Sequence, residues 1–356
     1  MKRKLCSILG IFTAAVMLLS ACGQTQSPAP SGGSDGSKSS SSAAEPQKPN
    51  ATGLTFKLGA ASVPGEAMYE ADELFVKLCN ERLNGDVVFE FYGGEQLGSD
   101  AVMLEGMQTG LVEGVGDSID IYSNYCADLN IMSMAFAFES TEHLYKYLES
   151  EYGQKALAKL EDQGFHIVNY HFEKNPRGIF AKTPITSPSD LAGLKFRIPN
   201  IPIWEKNFGT LGAVPTVIAW SEYTYALQQG VVDAGECTYE NIVPMGFYEY
   251  CKYYTLVDYA YPLECICLST EAWNKLSPEQ QAIVEECAEE AAQHFNKHIK
   301  SRWEEDKAFL VEQGCEFVEF DKNDFIEAMS PLAPKLESEG FWDTPGLYDY
   351  VQSLRG

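Results

Sequence analysis

Arginine is scarce in this chain, and two of its arginines stand where they can grip an acid. Beyond the first 21 residues only Arg82, Arg177, Arg197, Arg302 and Arg355 occur. Arg177 lies in Asn175-Pro176-Arg177, and Arg197 follows 20 residues later in Gly193-Leu194-Lys195-Phe196-Arg197-Ile198-Pro199-Asn200. Arg197 stands at the end of a strand-like stretch, just before a Pro-broken turn. In α/β sheets ligand groups gather outside the carboxyl ends of strands. A guanidinium there can fork two hydrogen bonds onto a carboxylate. The alternative is an arginine neutralised by one of the 51 acidic residues.

Other reactive patterns are incomplete. Gly116-Asp117-Ser118 resembles the nucleophile block of one esterase group, with Ser118 as nucleophile, but that chemistry also needs a general base. No Asp-x-x-His occurs near the C-terminus, and no Gly-x-Ser-x-Gly occurs from residue 53 onward. His294 and His298 have metal-binding spacing, yet no Glu follows His294 to complete a His-Glu-x-x-His. Two solvated histidines are the simpler reading. Cys265 and Cys267 share one strand face without a second pair to complete a zinc site. No P-loop and no Gly-x-Gly-x-x-Gly is present, so no cofactor and no metal are expected. No catalytic set assembles.

The compartment is set by the first residues. Lys2, Arg3 and Lys4 precede an uncharged apolar run, Leu5 to Leu19. That is a secretory signal layout, shorter than the roughly 20 residues of a membrane span. It ends in Leu19-Ser20-Ala21-Cys22, which resembles a bacterial lipobox and predicts a lipidated Cys22 after a signal of residues 1–21. Residues 23–52 contain no Val, Ile, Leu, Met, Phe, Tyr or Trp. With nothing apolar to bury, residues 22–52 are expected to form a disordered tether, with a reach of about 30 Å. The expected location is the outer face of the cell membrane.

Three of the 26 basic residues leave with the signal, so 23 remain against 51 acidic ones, a net charge of −28. That argues against nucleic acid as a partner. Eight cysteines remain besides Cys22, and their spacing shows no disulfide framework. Most sit in apolar segments as small hydrophobes.

The body, from residue 53, alternates strand and helix. Strand-like pieces fall at Leu54–Ala60, Val87–Tyr92, His166–Tyr170, Gly178–Ala181, Leu194–Ile198 and Val231–Ala234. Helical patterns cover Glu66–Leu83 and Asp100 to about Leu111. The expected class is α/β with parallel or mixed sheets. Ser277-Pro278-Glu279-Gln280 is a helix start, with a Ser cap, Pro at the first position and Gln at the third. The pattern then runs to about Gln313, roughly 50 Å at 1.5 Å per residue. Such a helix can span two lobes.

One block carries a resemblance. Pro184-Ile185-Thr186-Ser187-Pro188-Ser189-Asp190-Leu191-Ala192 leads into Gly193–Asn200, followed by Gly212-Ala213-Val214-Pro215-Thr216. Then come Trp220-Ser221-Glu222-Tyr223-Thr224-Tyr225-Ala226-Leu227-Gln228-Gln229-Gly230-Val231-Val232-Asp233-Ala234-Gly235-Glu236. With Glu95-Gln96-Leu97-Gly98 upstream, this resembles the solute-binding proteins of tripartite ATP-independent periplasmic (TRAP) transporters, from about Thr55 to Pro334. The resemblance implies a two-lobed, periplasmic-binding-protein-like α/β fold (type II-like) with a ligand cleft between the lobes and a long helix along the back. Lobe I is expected at 53–174 plus 263–302, and lobe II at 175–262 plus 303–356.

The resemblance also assigns roles. Arg197 falls on the position that pairs with the ligand carboxylate, and Arg177 on a second basic position. Trp220, Asp117, Glu222, Cys237 and Asn200 fall on or beside pocket positions. Cys237 stands where sialic-acid-binding members have asparagine, and Ala61 replaces a polar residue. Both changes point to a smaller or less hydroxylated acid. The implied partners are a small organic acid and the integral membrane subunits of a TRAP transporter, with the lipid anchor as the membrane contact. A sensory binding lipoprotein and a surface hydrolase using Ser118 are the alternatives.

Overall fold

The computed structural model describes residues 53–356. The signal segment, Cys22 and the tether lie outside the described residues. Among the described residues, eleven strands fall into two mixed sheets. They are β1 (Leu54–Gly59), β2 (Val87–Tyr92), β3 (Gly114–Ser118), β4 (Phe165–Glu173), β5 (Arg177–Ala181) and β6 (Lys195–Ile198). The rest are β7 (Val214–Val217), β8 (Ala234–Thr238), β9 (Tyr253–Thr255), β10 (Leu263–Ser269) and β11 (Glu316–Phe317).

The first sheet has the order β2-β1-β3-β10-β4, and the second β11-β9-β5-β8-β6-β7. β10 runs antiparallel to both β3 and β4, and β5 antiparallel to β8 and β9. The remaining pairs are parallel. The chain passes between the sheets at 174–176 and 256–262, and again along the helix Pro278–Glu312.

Local sequence explains the main supports. In the helix Ala67–Arg82, Ala71, Phe75, Leu78 and Cys79 recur three or four residues apart and are all buried. They share an apolar cluster with Val284, Cys287, Ala288, Ala291 and Phe295 of the long helix. That helix starts in the expected capping box: Ser277 Oγ accepts from Gln280 N, and Gln280 Oε1 accepts from Ser277 N at 2.9 Å. Farther along it, Leu310 and Trp303 pack into a cluster under the second sheet with Phe180 and Tyr254. One helix thus carries both sheets.

Several boundaries differ from the sequence pattern, and the strand expected at His166–Tyr170 extends over Phe165–Glu173. The helix expected from Asp100 to Leu111 stops at Thr109, because Gly110 takes a left-handed conformation (φ 76°). The strand expected at Val231–Ala234 lies instead at Ala234–Thr238, after a turn through Gly230. Val231 is exposed, whereas Ala-Gly-Glu-Cys-Thr is buried throughout. Tertiary packing outweighs the β-branched preference there. All eight described cysteines are free and buried. Among the described residues, no helix is long and apolar enough to cross a membrane.

Candidate functional site

The strand ends converge on one cavity of about 80 Å³. Ala61 and Ser62 reach it just past β1, Gly116, Asp117 and Ser118 at the end of β3, and Arg197 near the end of β6. β10 and β5 run the other way, so they present their first residues there, Glu264 and Arg177. Lys174, Trp220 and Glu240 come from the connections, and Phe295 from the long helix.

Arg197 is 4 % exposed. Its Nε and Nη2 donate to Ile218 O at 3.0 and 2.8 Å, which fixes the plane of the guanidinium. Cζ stands 4.5 Å from the Tyr223 ring centre and 5.4 Å from that of Trp220. Gly235 makes this stack possible, because a Cβ there would fall 1.5 Å from the Tyr223 hydroxyl. Burial lowers the Arg197 pKa from its ordinary value, and Tyr223 works against that shift. Among the described residues Arg197 has no carboxylate partner, and its Nη1 makes no hydrogen bond. Both Nη1 protons and the second Nη2 proton are left without an acceptor among the described residues.

The other two cations are already paired. Arg177 Nη1 donates to Glu236 Oε2 at 2.8 Å, which also accepts from the Tyr259 hydroxyl at 2.8 Å. Its guanidinium lies over the Trp204 ring, 4.8 Å from the centroid. Burial, the largest single influence, acts to lower the Arg177 pKa, but Glu236, Asp120 and Tyr259 together outweigh it and the net shift is upward. Lys174 Nζ bonds Glu264 Oε1.

Several acids in the cavity hold protons more tightly than usual. Burial raises Glu66 to about 7, against hydrogen bonds from Val63 N at 2.7 Å and Trp220 Nε1 at 3.0 Å. Burial, with the Glu95 charge second, raises Asp100 to about 6. Burial and then Asp100 push Asp117 well above the usual carboxylate range. Asp117 also accepts from Ser118 N at 2.6 Å and Ala61 N at 3.4 Å. A neutral Asp117 does not repel an anion across the cavity.

The expected site residues separate here. Arg197, Arg177, Trp220 and Asp117 line the cavity, with Ala61. Glu222 is exposed and absent from its lining. Cys237 is buried in the apolar cluster with Phe180 and Tyr254. Side chains alternate along a strand, so Glu236 and Cys237 point to opposite faces of β8. Asn200 lines a neighbouring groove, where its carbonyl accepts from Asn124 Nδ2 at 3.3 Å.

Ser118 Oγ donates to Leu263 O at 3.4 Å, and among the described residues no histidine lines the cavity. His298 Nδ1 lies 3.4 Å from Glu70, and the described residues form no metal-binding cluster. Glu66, Lys174, Asp100, Glu240 and Glu264 line the cavity without having been marked by sequence. Lys174 alone carried a signal, three residues before Arg177.

Comparison with known proteins gives one consistent result. Residues 59–339 match the family model for bacterial extracellular solute-binding proteins, family 7. A C4-dicarboxylate-binding periplasmic protein of Rhodobacter capsulatus is 31% identical over 248 residues, 69% of this chain and 73% of that protein. The crystal structure of a TRAP periplasmic solute-binding protein from Roseobacter denitrificans, with bound L-galactonate, is 26% identical with a TM-score of 0.77. The match covers 85% of this chain and 98% of that one. Another, from Pseudomonas putida F1 with bound D-glucuronate, is 26% identical with a TM-score of 0.76 and the same coverage.

Proposed function

The chain belongs to family 7 of the bacterial extracellular solute-binding proteins, which are binding proteins and not enzymes, and from that premise we propose that it captures a small organic carboxylate on Arg197 for a TRAP-type transporter. The observation that carries this reading is the buried Arg197 guanidinium, held in plane by Ile218 O and lacking a carboxylate partner among the described residues. A buried charge without a counter-ion is costly, and a ligand carboxylate on the Nη1/Nη2 edge supplies one. The relatives support it, since C4-dicarboxylate, L-galactonate and D-glucuronate all present a carboxylate. A thermal-shift screen of organic acids tests it, because a ligand at 100 times its Kd stabilises by about 2.7 kcal/mol. The reading predicts that at least one acid raises the melting temperature and that Arg197→Ala abolishes the rise. A rise retained in that variant would contradict it.

Lobe closure is the second part of the reading. Trp220 Nε1 to Glu66 and Ser221 Oγ to Glu95 join residues associated with the two sheets across the cavity. Capture would favour this closed arrangement by adding contacts that an open cleft lacks. Lobe I at 53–174 plus 263–302 and lobe II at 175–262 plus 303–356 would be the moving bodies.

Capture is expected to depend on pH. An anion beside Glu66, Asp100 and Asp117 is opposed when those acids ionise, and it raises their pKa further. Affinity should therefore be greatest below about 6 and fall by about tenfold as the pH rises through 6 to 7, where Asp100 and Glu66 titrate. Calorimetric titration from pH 5.5 to 8 checks this; affinity that rises with pH would sink it.

The anchor belongs to the same reading. The charged start, the apolar run and Leu19-Ser20-Ala21-Cys22 support lipidation of Cys22, which would hold the body beside the permease. Cys22→Ala should move the protein from the membrane fraction to the soluble fraction. Unchanged partitioning would contradict the anchor.

A further inference from the structure

The cavity holds three cations, and among the described residues two of them already face a carboxylate: Lys174 faces Glu264, and Arg177 faces Glu236. Among the described residues of the cavity, only Arg197 is left without a carboxylate partner. The remaining wall is acidic. Glu240 is 8 % and Glu264 4 % exposed, and both line the cavity. Among the described residues, Glu264 Oε2, Asp100 Oδ1, Asp120 Oδ1 and Ser62 Oγ are buried with no hydrogen-bond partner, and the Glu240 oxygens, approached by the Thr238 and Asn175 side chains, have none of ordinary geometry. Arg177 Nε is likewise unpartnered, on a guanidinium that Glu236 already balances.

Buried polar atoms are almost always hydrogen-bonded in a working state. These oxygens can all accept hydrogen bonds, so a ligand meets them by donating. A hydroxyl does so, and it can also accept from Arg177 Nε. A second carboxylate could accept from Arg177 Nε but has no proton to donate to these oxygens, and it would add a negative charge beside Glu240, Glu264 and Asp100.

Resting on the carboxylate reading of this site, we propose that the cargo carries a single carboxylate, bound to Arg197, and a polyhydroxylated remainder whose O–H groups donate to Asp100, Glu240 and Glu264. Dicarboxylates of equal length are rejected. The departures at Ala61 and Cys237, which suggested a less hydroxylated acid, do not decide the matter. Cys237 is outside the cavity lining, and the unpartnered carboxylates offer more acceptors than one asparagine would.

Matched acids separate the terms of this proposal. The purified full-length protein is titrated calorimetrically with D-erythronate, D-gluconate and D-galactonate. Each has a partner bearing a second terminal carboxylate: meso-tartrate, D-glucarate and galactarate. Butyrate and hexanoate supply the carboxylate without hydroxyls. At least one aldonate should bind on the order of 100-fold more tightly than its diacid partner, because like charges placed together in a closed site are strongly disfavoured. It should also exceed the plain acid of the same length. Glu240→Gln should narrow the gap between aldonate and diacid.

A diacid or plain acid that binds as tightly as its aldonate overturns the proposal. If that binding is lost in Arg197→Ala, the carboxylate reading stands. Binding that persists in Arg197→Ala overturns the carboxylate reading as well. No binding by any of the three aldonates also overturns the proposal.

Discussion

Replacing Arg197 by alanine is expected to weaken capture of the cargo by on the order of 30-fold or more. Truncating one partner of a buried, hydrogen-bonded charge pair costs about 2–5 kcal/mol, part of it the cost of leaving the other charge unpaired. Nothing nearby can take over. Lys174 and Arg177 are committed to Glu264 and Glu236, and Glu66, Asp100 and Asp117 would then face the ligand carboxylate. Arg197→Lys should recover only part of the loss. Lysine keeps the charge but cannot both bond Ile218 O through a rigid fork and lie flat over Tyr223. Equal calorimetric affinity in wild type and Arg197→Ala would refute the assignment.

The second large effect concerns stability. Arg177→Met should destabilise the fold by about 3–5 kcal/mol, because it strands Glu236 as a buried charge. Glu236 is fully buried, and its remaining partner is the Tyr259 hydroxyl at 2.8 Å. The expected fall in melting temperature is roughly 10 °C. Adding Glu236→Leu should restore much of the loss, since a buried pair can often be replaced by apolar residues at little cost. A melting temperature unchanged in Arg177→Met, measured by calorimetry, would show that Arg177 is held for ligand and not for the fold.

That pair shows what the sequence could and could not reveal. The 20-residue interval between Arg177 and Arg197 marked both arginines as unusual. It could not say which one is free, because Glu236 meets Arg177 only through the antiparallel pairing of β5 with β8. Local signals were reliable where the physics is local. The Ser277 capping box and the unbroken pattern after it located the long helix to within a residue of its end. The spacing of Ala71, Phe75, Leu78 and Cys79 marked the helix face that meets it.

Signals failed where packing decides. Ala234–Thr238 has weak strand formers and is a strand because both its faces are buried. Glu66, Glu240 and Glu264 were invisible among 51 acidic residues, since only the fold brings them to one cavity. Glu222 came from family correspondence alone, and its solvent-facing placement gives it no contact with the cavity.

The central claim is that Arg197 receives the carboxylate of the cargo. The most direct measurement is a crystal structure of the protein with an acid found by the thermal-shift screen. The account predicts a carboxylate within about 3 Å of Arg197 Nη1 and Nη2, in the plane set by Ile218 O. A ligand that places its carboxylate elsewhere, leaving that edge of Arg197 to solvent, would contradict it.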